Sequence, residues 1–136
     1  MFKLAKIEGS GTNQAEPIRI RTAPDLPYKA FCAYTLFDGF LAEADTEQPP
    51  THIVLENLEP NEKETILCYR IQDNMVFEVT ISGSFPQLSV GNKPALKVSD
   101  EGAGVGITSA IGGKITLHDI NGARKSGDTV YVRIEK

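Results

Sequence analysis

Hydrophobic positions along the chain recur with a period of two. Ile18 and Ile20 alternate with Arg19 and Arg21, and Leu96 and Val98 flank Lys97. Ile115 and Leu117 alternate with Lys114, Thr116 and His118; Val130, Val132 and Ile134 alternate with Tyr131, Arg133 and Glu135. Successive side chains of a strand point to opposite faces, so this alternation predicts half-buried strands. Further strands are expected at Thr65–Ile71, where Thr65, Leu67, Tyr69 and Ile71 share a face, and at the apolar run Ile53-Val54-Leu55. Met75–Ile81 is the most apolar segment, and Phe77 and Val79 are expected to be buried. Gln72-Asp73-Asn74 suits a tight antiparallel hairpin, because Asp and Asn tolerate turn geometry. Asn121-Gly122 and Gly127-Asp128 bracket a longer loop between the last two strands, which read as a second hairpin.

Residues 36–45 have near-helical spacing at Leu36, Phe37, Phe40, Leu41 and Ala44, and read as a turn or short helix. Gly39 inside them opposes a helix by about 1 kcal/mol relative to Ala. The 12 Gly and 8 Pro fall between the strands. Short strands so punctuated predict an all-β fold, a compact β-sandwich or small β-barrel with antiparallel hairpins. Gly9–Glu16 is the loosest stretch, so residues 1–16 read as a flexible N-terminal arm and 17–136 as a single β-domain.

The 136 residues suit one domain, and 40% hydrophobic content suffices for a core without metal or disulfide staples. No stretch approaches the roughly 20 apolar residues of a membrane span. The pI near 5.2 argues against a general nucleic-acid binder. The first residues lack the apolar run of a signal peptide, which predicts synthesis in a cytoplasm. Cys32 and Cys68 are accordingly expected as free thiols in apolar surroundings. Charge is uneven: from Asp38 to Glu64 eight acids face the single base Lys63, a net of −7, and subtracting this from the chain's −4 leaves +3 elsewhere.

No motif for chemistry survives testing. Gly102, Gly104 and Gly106 follow a strand, but the third glycine of a dinucleotide fingerprint is missing, and Gly112-Gly113 opposes the helix that would hold a pyrophosphate. These glycines read instead as a β-connection with positive φ angles. His52 and His118 have neither metal-ligand spacing nor a nucleophile elbow nearby. Tyr28, Phe31 and Tyr34 read as core in preference to a ligand groove. No catalytic residue, metal site or cofactor is expected.

One ordered set of segments points to a family. It comprises Gly39-Phe40-Leu41, Pro50-Thr51-His52-Ile53-Val54-Leu55, and Met75 to Val79. It continues through Leu88-Ser89-Val90-Gly91-Asn92-Lys93, Leu96-Lys97-Val98, Gly104 to Thr108 and Gly112-Gly113-Lys114-Ile115, and ends at Gly127 to Arg133. Over about residues 36–136 the chain resembles the small decoration, or head-stabilising, proteins of tailed phages and prophages of Gram-positive hosts. It departs from the family at Val90-Gly91-Asn92, where the usual turn is Val-Gly-Asp.

The resemblance implies a non-enzymatic structural protein of the virion, made in the host cytoplasm. It would bind the major capsid protein on the outer surface of the shell, as a monomer or by self-association such as a trimer, with no nucleic-acid or membrane partner. The alternative is a non-catalytic β-barrel or sandwich module binding a peptide, glycan or other ligand. Capsid exteriors are commonly acidic, so the basic residues Arg124, Lys125, Lys114, Arg19 and Arg21 are the candidate docking set. The loop from Asn121 to Gly127 is favoured among them.

Overall fold

A computed structural model of the chain describes residues 1–9, 15–45, 49–82, 91–111, 115–119 and 127–134. It is all-β: the described residues contain eleven strands and no helix. They are β1 (Lys3–Ile7), β2 (Ile18–Thr22), β3 (Ala33–Phe37), β4 (Phe40–Ala42), β5 (His52–Val54), β6 (Thr65–Arg70), β7 (Met75–Ser82), β8 (Pro94–Val98), β9 (Gly104–Ile111), β10 (Ile115–Asp119) and β11 (Thr129–Ile134).

Five strands close into a barrel. Its circuit is β3-β4-β2-β6-β5 and back to β3, with β2–β4 parallel and the other pairs antiparallel. Tyr34, Leu41, Val54, Ile66 and Cys68 fill its interior. The other half is built on β7, which pairs with β1, β11 and β9; β10 continues from β11 and β8 from β9. Backbone hydrogen bonds of Gly91 and Asn92 with Leu117 bring the lead-in to β8 onto β10, so this half also curls round its core. Phe77, Val79, Ile107, Leu117 and Val132 are central to that second cluster.

The halves share a wall. On β3, Ala33 faces the second cluster while Tyr34 faces the barrel interior; on β5, Ile53 and Val54 divide in the same way. A strand buried on both faces loses its polar alternation, which is why Ile53-Val54-Leu55 reads as a continuous apolar run.

Several expectations need correction. Residues 36–45 hold no helix; of the two alternatives the turn is present, a two-residue turn at Asp38-Gly39 that closes the β3–β4 hairpin and pairs Phe37 with Phe40. Both loop residues have positive φ, 52° and 84°, as a type I′ turn requires. Residues 1–8 are not an arm separate from the body. β1 pairs with β7, and Phe2 is fully buried with its ring edge-on to Phe77 at a centroid distance of 6.3 Å. Gln72-Asp73-Asn74 makes no hairpin: β6 pairs with β2 and β5, β7 with the other half, and the turn is the corner between them. On β6 the inward set is Ile66 and Cys68, leaving Thr65, Leu67 and Tyr69 half-buried on the outer face.

The glycines of β9 are explained by close approach. A Cβ on Gly106 would stand 2.9 Å from the Thr80 carbonyl oxygen. Gly104 is similarly crowded by Ala33; of the three glycines, only Gly102 has a positive φ. Phe77 and Val79 are buried as expected, β10 and β11 are antiparallel neighbours, and both cysteines are free and buried.

Candidate docking face of the barrel

The type I′ hairpin and the barrel registers place four side chains in a row. Phe37 is the cross-strand partner of Phe40, Phe40 is the partner of Arg21 on β2, and Arg21 is the partner of Thr65 on β6. Their chain neighbours Leu41 and Ile66 lie in the barrel core and Ile20 packs against it, so the row stands on the outer wall. Arg19 and Leu67 form the next register pair on the same wall. Phe37 is 71% exposed, the highest of any large hydrophobic residue described. Covering such a ring is worth about 1.5–3 kcal/mol.

The guanidinium carbon of Arg21 sits over the Phe40 ring, 4.9 Å from its centroid. This cation–π contact holds the head group in place at modest cost in hydration. Among the described residues, neither Arg19 nor Arg21 forms an ion pair with a carboxylate. Both are exposed.

A cleft of about 720 Å³ borders the row, lined by Arg21, Phe40, Asn61, Glu62, Lys63 and Glu64 among others. Its rim is fixed by reciprocal hydrogen bonds. Asn61 Nδ2 donates to Asp25 Oδ1 at 2.7 Å, and the Asp25 amide donates to Asn61 Oδ1 at 3.1 Å. Both residues adopt positive φ near 60°, a conformation that Asx side chains tolerate best among non-glycine types. The Thr22 hydroxyl ties the rim to β2 by donating to the Lys63 carbonyl. Here the division of charge along the sequence breaks down in space, because Glu62 and Glu64 of the acidic segment share a cleft with Arg21. Lys63 lies 4.0 Å from Glu56.

Of the candidate docking set, Arg19 and Arg21 lie together on this wall. Lys114, Arg124 and Lys125 lie outside the described residues. Sequence reasoning misses Phe37 and Phe40 as site residues, although Phe37-Asp38-Gly39-Phe40 is a recognisable hairpin signature that sets two aromatics opposite each other across the strands.

The remaining chemical candidates are held by structural contacts. His52 is buried on β5, with Nδ1 2.7 Å from the Thr51 hydroxyl, which also accepts the Leu36 amide. His118 stands 3.9 Å from Glu8, whose carboxylate pairs with Arg133. Neither histidine lines the cleft. Tyr28 and Tyr34 are core, their rings 5.0 Å apart; the Tyr28 hydroxyl donates to the Leu41 carbonyl and the Tyr34 hydroxyl accepts the Lys29 amide. Burial raises the pKa of both phenols, the amide hydrogen bonds opposing it. Phe31 differs from these two in being 40% exposed. No group of three or more potential metal ligands occurs among the described residues, and no helix there is long and apolar enough to cross a membrane.

The chain is thus an all-β protein of two fused, curled halves, whose barrel presents an aromatic and cationic outer wall. Comparison with known proteins finds no matching family model, no matching curated protein and no matching solved structure.

Proposed function

We propose that this protein is a non-enzymatic structural component of a phage virion that docks on the outer surface of the capsid and stabilises the head. The observation that carries the reading is the row of exposed Phe37, half-buried Phe40 and exposed Arg21 on a closed barrel. A rigid scaffold presenting apolar area beside a cation is suited to burying surface against a larger body, and repetition over a shell turns modest single-site affinity into strong retention. The resemblance of segments within residues 36–136 to head-decoration proteins supports the same reading. The partner is then the major capsid protein, and copies on the shell stand alone or associate with one another.

The cleft beside Arg21 favours a second reading, a non-catalytic module that binds a peptide, glycan or other ligand without any capsid. Co-sedimentation with expanded heads of the phage or prophage that encodes the chain separates the two. Capsid docking predicts saturable binding at low salt. It also predicts that Arg19→Glu/Arg21→Glu weakens binding most at low ionic strength, with the difference shrinking as salt screens it. No co-sedimentation at low salt overturns the capsid reading.

A further inference from the structure

From the wall of the barrel we infer the chemistry of the partner segment: an extended polypeptide that seats a carboxylate on Arg21 and an apolar side chain on Phe37. The inference rests on the docking reading for its setting and adds what the partner must present.

Three observations define the seat. Arg21 is held over Phe40 at 4.9 Å, and no described carboxylate pairs with it, so its donors remain available to an incoming acceptor. A guanidinium binds a carboxylate through two parallel N–H···O bonds, a geometry that an ammonium lacks. Glu62 and Glu64 line the same cleft as Arg21 and repel a carboxylate that enters it, so the favourable approach to the guanidinium is from outside the cleft. Phe37, exposed and two strands away from Arg21, supplies the apolar contact.

The spacing follows from the sheet. Neighbouring strands lie roughly 4.7–4.9 Å apart, so two steps separate the backbone positions of Arg21 and Phe37 by roughly 9.5 Å. A polyproline II segment advances about 3.1 Å per residue and repeats its face every third residue, which carries side chains i and i+3 about 9.3 Å apart. An acidic residue followed three positions later by an aromatic one therefore fits a path across the strands.

The probe is the blocked peptide acetyl-Pro-Glu-Pro-Pro-Phe-Pro-amide, titrated into the full chain and followed through the Arg21 side-chain Nε–H and Phe37 ring resonances. The Glu peptide is expected to shift both with millimolar affinity. Replacing its Glu by Gln is expected to weaken binding at least tenfold, as are Arg21→Gln and Arg21→Lys. Phe37→Ser is expected to weaken binding several-fold. Equal titration by the Glu and Gln peptides, or no shift at Arg21 with either, overturns the inference without requiring any variant to fold. That failure is distinct from failure of the capsid reading. Heads that retain the chain while the peptides do not discriminate sink only the carboxylate seat. A discriminating peptide with no retention on heads sinks only the capsid.

Discussion

Gly104 and Ala33 are register partners where β9 meets β3, and a Cβ on Gly104 would stand 2.9 Å from the Cβ of Ala33. The Ala33 carbonyl oxygen would lie 3.0 Å from the same atom, so backbone as well as side chain must yield. The barrel and the second half of the molecule join at this point. Gly104→Ala is therefore expected to destabilise the protein by about 1–3 kcal/mol, in the range of overpacked interiors. Urea unfolding followed by circular dichroism measures this, and an unchanged midpoint would show that the joint relaxes freely.

Phe2 and Phe77 test whether the N-terminal segment belongs to the fold. Both are fully buried and touch edge-to-face. Phe77→Ala is expected to cost about 3–5 kcal/mol, and Phe2→Ala a comparable amount. If residues 2–7 were an arm lying apart from the body, Phe2→Ala would leave the melting curve in place.

The two histidines should respond differently to removal. His52 is 2% exposed with its Nδ1 against the Thr51 hydroxyl, so His52→Ala is expected to lose about 1–3 kcal/mol of stability. His118 is partly exposed near Glu8, and His118→Ala should remain within about 0.5 kcal/mol of wild type. Neither variant should alter head binding at a temperature where it is folded. A tenfold loss of binding in folded protein would assign the histidine a functional role.

Alkaline pH should weaken the fold through the barrel interior. Burial pushes the Cys68 thiol up to about 11 from an ordinary 9.0, with Arg70 acting in the opposite direction; burial also raises Cys32 and Tyr34. The protonated forms are the ones the folded state favours. The contribution of Cys68 is thus complete below pH 9 and is lost as pH rises from 9 to 11, where the unfolded chain ionises first. Unfolding free energies across that window should fall, and Cys68→Ala should make the fall shallower by on the order of 2 kcal/mol. Identical pH slopes in the two proteins would contradict the assignment.

Much of the fold is legible locally. Alternation at Ile18–Arg21, Ile115–His118 and Val130–Glu135 places strands correctly because period two follows from backbone geometry alone. The apolar content of Met75–Ile81 likewise identifies a long, largely buried strand. Where two local signals compete, the turn wins: Leu36 to Ala44 has partial helical spacing, yet Asp38-Gly39 between two phenylalanines closes a hairpin. On β6, Ile66 and Cys68 share their parity with the charged Glu64 and Arg70, whereas Leu67 and Tyr69 share theirs with the uncharged Thr65 and Ile71, so parity alone does not say which face is inward.

The sequence by itself determined the all-β class, the positions of β2, β5, β6, β7, β8, β10 and β11, and the lack of a recognised catalytic motif, since each depends on neighbours within a few residues. Only the tertiary structure decided that β6 and β7 part company, that Phe2 enters the core, and that β3 and β5 serve two cores at once. It also placed Arg21 beside both Phe40 and the acidic turn at Glu62–Glu64. These relations join residues distant along the chain. Strand pairing across such distances is set by how the two apolar clusters close, not by any local propensity.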